Sequence, residues 1–258
     1  MTQVGDLKVI TFYDFASTKE STKAWNPNCW KTRYSLNYKG LPYKTIWLEY
    51  PDVEPTLKAA GIAPTSTKPD GSPMYTIPAI EDPNTGTAIA ESFVIAQYLD
   101  KTYPDKPTLI PAGTKALQSA FANVSFVHVA PILQFAYLIM IENVLNPKSR
   151  GYFCEARKND ILRGVSIEDA YPRGERAKEE WGKVKAGFET IANWMNKEDG
   201  RFVMGDTVSF ADFVVGGWVQ MAKKTWDEDS QEWKDISTWN GGRWPRLLED
   251  LEKYASIA

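Results

Sequence analysis

Asn26, Pro27, Asn28 and Cys29 put a polar amide, a proline and a thiol within four residues. Either Cys29 is itself reactive, or the amide serves a sulfur that a ligand brings. Asn26 is a good N-cap, and Pro27 falls at the first helical position, where a missing N–H costs nothing. Ile77-Pro78 is a second candidate. A proline opening a strand makes no ladder hydrogen bond, and the residue before it can turn its backbone toward an extended peptide. Glu91-Ser92 is the third, opening a helix directly after a strand. Free N–H groups there and the Ser92 hydroxyl suit a carboxylate, and the Glu91 side chain suits an ammonium, so together they fit an amino-acid head. Each has a plainer reading too: an edge-strand proline, or a cap with an acid in its first turn.

Other chemistries find less to work with. His128 is the only histidine and sits in an apolar helix, so it reads as structural. Metal-ligand spacings are absent, as are phosphate-cradling glycine loops and the GxSxG elbow, so neither a metal nor a nucleotide cofactor is expected. The net charge is −3 with no basic block, which argues against nucleic acid. No uninterrupted apolar run reaches the roughly 18 residues that span a bilayer, and "MTQVGDLKV" lacks a secretory pattern. With only Cys29 and Cys154, a disulfide framework is not expected and a reducing cytoplasm is the simpler setting. A hydrophobic fraction of 43 % points to a packed globular protein, and ten tryptophans hint at clefts lined by flat rings.

The candidate residues fall at junctions of elements. Leu7–Phe15 is rich in β-branched and aromatic residues and reads as a buried strand. A helix from Pro27 carries Trp30, Tyr34 and Tyr38 at helical spacing and ends by Gly40 and Pro42. Tyr43–Tyr50 is a second strand, Asp52–Gly61 a helical or irregular piece, and Met74–Asp82 with "TAIAES" a hairpin. Glu91–Pro104 is an amphipathic helix. This β-α-β-(α)-β-β-α order is that of the thioredoxin-like fold, in which the Ile77-Pro78 position usually holds a cis-proline. Past the linker "KPTLIPAG" helices dominate, at Thr114–Val144, Arg173–Asn196, Phe210–Lys224 and Arg243–Ala255. The expected architecture is thus an α/β thioredoxin-like domain over 1–105 and an all-α helical bundle over 106–258. Ser209 and Asp212 form a capping box with Val208 and Phe213 as its staple, assigned to folding rather than chemistry.

"YTIPAI", "ESFVIAQYLDKTYP" and "GDTVSFAD", within that order of elements, give a chain that resembles a glutathione transferase over nearly its whole length. "FYDF", a long loop and then "NPNCWKTRYSLNYKG" resemble more particularly the bacterial β-etherases and the fungal etherase-related class. The resemblance implies glutathione as substrate on the N-terminal domain, with Trp30, Ile77, Pro78, Glu91 and Ser92 at its site. It also implies a homodimer and a pocket for small aromatic molecules between the domains, rimmed by Phe15, Trp25, Phe121, Ser125 and Tyr137. Lys44 and Lys58 are candidates for the glycyl carboxylate.

The etherase-like pattern has a thiolate-stabilising serine before the helix-starting proline, where this chain has Asn26. Ser17 and Ser21, on the preceding loop, are alternative donors, and Cys29, one turn into the helix, reads as packed. A thiol of pKa ~8.5 must fall by about two units, ~2.7 kcal/mol, to ionise at neutral pH. A hydrogen bond to a charged group supplies ~1.5–3 kcal/mol and a helix N-terminus ~0.3–1 kcal/mol. The Asn26 amide with free N–H groups of Asn28 or Cys29 therefore just suffices. Two readings stay open, an enzyme joining glutathione to aromatic electrophiles and a ligandin that sequesters aromatic compounds.

Overall fold

The computed structural model describes residues 7–68, 70–195 and 200–258. The N-terminal stretch through Asp6, Pro69 of the expected loop and Asn196 of an expected helix lie outside these. Near-continuous burial, with only Thr11 partly exposed, marks β1 (Ile10–Phe15) as the strand at the centre of a four-stranded sheet covered on both faces. It runs parallel to β2 (Tyr43–Leu48) and antiparallel to β5 (Ala79–Asp82), which pairs with β6 (Thr87–Ala90). The β1–β2 crossover is α1 (Pro27–Tyr38), and α2 (Val53–Ala59) follows β2. A small hairpin, β3 (Ser66–Thr67) with β4 (Pro73–Met74), takes only Met74 of the strand expected over Met74–Asp82, and Tyr75–Pro78 lie outside any strand before β5 begins. Then α3 (Ser92–Thr102) closes a thioredoxin-like domain.

A buried ion pair ties β1 to α1. Arg33 Nη2 lies 2.8 Å from Asp14 Oδ2, and Nη1 donates to Tyr43 and Thr45. The rings of Phe12, Trp30, Tyr43 and Trp47 surround the guanidinium. Asp14 also accepts the N–H of Phe15, which fixes the end of the strand next to the first helix.

The helical part comprises α4 (Lys115–Val129), α5 (Leu133–Asn143), α6 (Pro147–Asp160), α7 (Ile167–Ala170), α8 (Gly174–Trp194), α9 (Phe210–Thr225) and α10 (Gln231–Leu251). The helix expected over Thr114–Val144 is two, divided by a 3-10 turn at Ala130–Ile132, because Pro131 has no N–H for the helical ladder. Lys115–Asn143 is apolar and long enough to cross a bilayer by composition alone. That turn breaks it, and its inner faces are packed against α8 and α9. Around Trp239–Gly242 the backbone leaves helical geometry, with Asn240, Gly241 and Gly242 at positive φ. The expected helix from Arg243 is therefore only the second half of α10.

The capping box forms, with the Asp212 carboxylate accepting the N–H groups of Ser209 and Val203 at 2.8 and 2.7 Å. It starts α9, which is buried on nearly every side and receives α1 directly. Two glycines permit that approach. A Cβ on Gly217 would lie 2.5 Å from the carbonyl oxygen of Pro27, and one on Gly216 would lie 2.7 Å from Leu251 Cδ1. The Asp100 carboxylate accepts the N–H groups of Leu109 and Ile110 and so fastens the linker.

A second seam joins the domains at their edge. Glu49 accepts from Asn146 Nδ2 at 2.6 Å and from the Ser149 hydroxyl, and Lys148 lies 2.6 Å from Asp52. These bonds set α6 directly against Tyr50–Asp52, beside the cleft.

Candidate active site

Asn26 is the N-cap of α1, and its Oδ1 accepts the N–H groups of Asn28 at 2.9 Å and Cys29 at 3.1 Å. Only an oxygen satisfies two donors, so the amide orientation is fixed and its NH₂ remains as a donor. The same bonds correct one expectation, since the N–H groups of Asn28 and Cys29 are taken by the cap rather than free for a ligand sulfur.

A cavity of about 250 Å³ opens at this cap, lined by Asn26, Asn28, Ile77, Phe15, Tyr50 and Arg157 among others. It continues past Met74 and Tyr152 into a groove of about 760 Å³. The Ile77-Pro78 peptide is cis. Sheet pairing begins at Ala79, so the Ile77 backbone lies outside the ladder while the residue lines the cavity.

Glu91 holds φ at 81°, a conformation rare for a side-chain-bearing residue and one found at functional sites. Its two carboxylate oxygens accept from Phe93 N and Val94 N, both at 3.0 Å, and Ser92 Oγ donates to it at 3.3 Å. The N–H groups expected to be free for a ligand carboxylate are thus held by Glu91 itself, which occupies the anion position at this helix end. Lys31, on α1, donates to Asn28 Oδ1 at 2.8 Å. Burial pulls its ammonium down to about 8, and the charge of Glu91 opposes that.

The structure separates the other candidates. Phe15 lines the cavity, but Trp25 stands behind it at 5.8 Å, with its indole N–H on Ala16 O. Trp30 is 2 % exposed and donates to the carbonyl of Ala24, so it belongs to the core beneath the site and not to its wall. Ser17 donates to Lys19 O at 3.0 Å, and Ser21 borders a separate depression with Lys223 and Trp226, so neither reaches the cap. Phe121 meets Trp194, far along α4 from the cleft, and Ser125 is fully buried. Tyr137 is buried behind Arg157, against Phe153. Cys29 is wholly buried, and desolvation, with Asp14 next, pushes its thiol well up, so it is packed and unreactive. His128 packs edge-on against Trp194.

Lys44 is exposed on β2 outside the cavity, whereas Lys58 pairs with Glu54 at 2.7 Å on the surface. Lys68 instead lines the cavity beside Met74 and Ile77, 3.3 Å from Glu54. It arrives on the β3–β4 hairpin, whose pairing left no strong local signal. Arg157 and Tyr152 come from α6, which the sequence pattern did not reveal as a helix. Among the described residues no group of three acidic, histidine or cysteine side chains is placed to hold a metal ion.

Comparison with known proteins gives concordant findings. The family model "Glutathione S-transferase, C-terminal domain" matches residues 116–254, and "Glutathione S-transferase, N-terminal domain" matches 25–102. A glutathione S-transferase of Ceriporiopsis subvermispora, solved in complex with glutathione, is 43 % identical with a TM-score of 0.91, covering 97 % of this chain and 99 % of its own. The glutathione S-transferase-like protein ustS of Aspergillus flavus is 29 % identical over 92 % of this chain and 87 % of its own. A β-etherase of Sphingobium is similar in fold alone, at 17 % identity and a TM-score of 0.53, covering 94 % of this chain and 100 % of its own.

Proposed function

This chain belongs to the glutathione S-transferase family, and from that premise we propose that it joins glutathione to aromatic electrophiles by holding the thiol as thiolate at the Asn26 cap. The observation that carries this reading is the fixed Asn26 amide, whose carbonyl is spent on the helix and whose NH₂ is left to donate beside the cavity. The Ile77 backbone takes the cysteinyl backbone of glutathione as an added strand would. Glu91 receives the γ-glutamyl ammonium, and the ligand carboxylate takes over the N–H groups that Glu91 now caps. Lys68 meets the glycyl carboxylate.

With the Asn28 and Cys29 N–H groups engaged, the Asn26 donor must supply most of the ~2.7 kcal/mol that a two-unit shift requires. A charge-assisted hydrogen bond of ~1.5–3 kcal/mol reaches that range with the helix end helping. The thiol proton goes to solvent, sulfur forms the new bond to the electrophilic carbon, and the leaving group departs with its electron pair. Detoxification of such compounds in the cytoplasm follows from this reading. A homodimer accords with Leu117, Val124 and Val127, exposed along one face of α4, and sedimentation of the purified chain tests it.

The rings of Phe15, Tyr50 and Tyr152 along the cavity favour a second reading, a ligandin that stores aromatic or polyphenolic compounds with little turnover. Titration of the ultraviolet absorbance of bound glutathione separates the two, using Asn26→Asp. The aspartate keeps the cap acceptor but removes the donor, so the bound thiol pKa rises by about one unit or more while stability holds. A bound thiol that titrates like free glutathione in the wild type removes the catalytic reading and leaves the ligandin.

A further inference from the structure

We propose that Arg157 selects aromatic co-substrates bearing a planar two-oxygen acceptor group, such as a carboxylate or nitro group, an inference that rests on the transferase reading above. Arg157, on α6, lines the same cavity as Asn26 and Ile77. Its Nη1 donates to Asp160 Oδ2 at 2.8 Å, and its side chain keeps 20 % exposure. A guanidinium carries five N–H donors in a planar fork, so the bond to Asp160 and the neighbouring Tyr50 hydroxyl take up part of it and leave the remaining donors for a guest.

The surroundings decide what kind of guest. The Phe15 and Tyr50 rings are stacked at 4.1 Å and 19°, and Tyr152 continues the series at 6.1 Å and 28°. Phe153 and Tyr137 flank the guanidinium at 5.2 and 6.0 Å. A flat ring is therefore accommodated by stacking, and a ring substituent meets the fork. A carboxylate or nitro group matches that fork with two parallel bonds, whereas a bare hydrocarbon would desolvate the charge and return nothing. A nitro group also withdraws electrons from the ring, which makes a carbon facing the thiolate easier to attack.

The test is calorimetric binding of two glutathione conjugates, S-benzylglutathione and S-(para-carboxybenzyl)glutathione, to the full chain and to Arg157→Met and Arg157→Lys. Arg157→Met is expected to weaken the carboxylated conjugate about tenfold or more and the benzyl conjugate by less than about twofold, with Arg157→Lys between. An unchanged ratio between the conjugates in Arg157→Met overturns the inference while the transferase reading stands. If the wild type binds neither conjugate nor glutathione, both fall together.

Discussion

Replacing Gly217 by alanine tests whether the α1–α9 approach sets the site. In an ordinary helix the change gains about 1 kcal/mol, because alanine loses less backbone entropy than glycine. Here the new Cβ would lie 2.5 Å from Pro27 O and 3.3 Å from Trp30 Cβ. A comfortable carbon–oxygen contact is about 3.3 Å or more, so a shift of roughly 0.8 Å is needed. The obstacle is backbone on a buried helix, and overpacking of this kind costs about 1–3 kcal/mol. The net effect is a loss of up to about 2 kcal/mol, opposite in sign to the intrinsic preference. Pro27 directly follows the Asn26 cap, so the shift is delivered to the thiol donor. Displacements near 1 Å are worth up to about 100-fold in rate. Urea denaturation gives the stability, and kcat/KM with glutathione and an aryl electrophile gives the rate. Gly182→Ala on α8 is the internal control, since nothing lies within 4 Å of its Cβ. It should gain stability and leave turnover alone. If Gly217→Ala behaves like Gly182→Ala on both measurements, the close approach does not position the cap and the argument is wrong.

Lys68→Met should raise the Kd for glutathione about tenfold in calorimetry, through loss of a charged partner, while binding of a glutathione analogue lacking the glycyl carboxylate stays unchanged. Asp212→Asn offers an amide NH₂ where the carboxylate accepts a buried N–H, and should cost about 1–3 kcal/mol in urea unfolding. Burial raises the Asp212 carboxyl to about 6 despite the opposing bonds from Val203 and Ser209. The folded state therefore holds this proton more tightly than the unfolded chain, and the contribution of Asp212 to stability falls as pH rises from about 4 to 6. The gap between wild type and Asp212→Asn should accordingly be widest near pH 4 and narrowest at neutral pH; a gap independent of pH would refute this assignment.

What the sequence revealed were junctions. A cap and proline at Asn26-Pro27, the Ile77-Pro78 step and the Glu91 helix start are each fixed within a few residues, and two of the three meet in the cavity directly. Local pattern did not tell which donors are already spent. Asn26 and Glu91 both satisfy their own helices, which follows only from side-chain geometry. Phase along α4 was the second loss: Phe121 and Ser125 lie on an apolar helix, but which stripe faces the cleft depends on α8 and α9. The third was α6. Among its residues only Ser149 and Phe153 are buried, so it carries too narrow an apolar face to be read as a helix, although it supplies Arg157.

The seam between Glu49, Asn146 and Ser149, with Lys148 on Asp52, has a bearing on the traffic of guests. Because it joins α6 to the turn after β2, it holds the wall of Tyr152 and Arg157 at a set distance from Asn26 and Ile77, and that separation works as a fixed caliper. Length along the groove is less restricted, because it runs out past Met74 and Asn159. Bulk normal to the ring plane meets a wall that gives way only when charge-assisted bonds break. Guests are graded by thickness before their reactivity is ever tried.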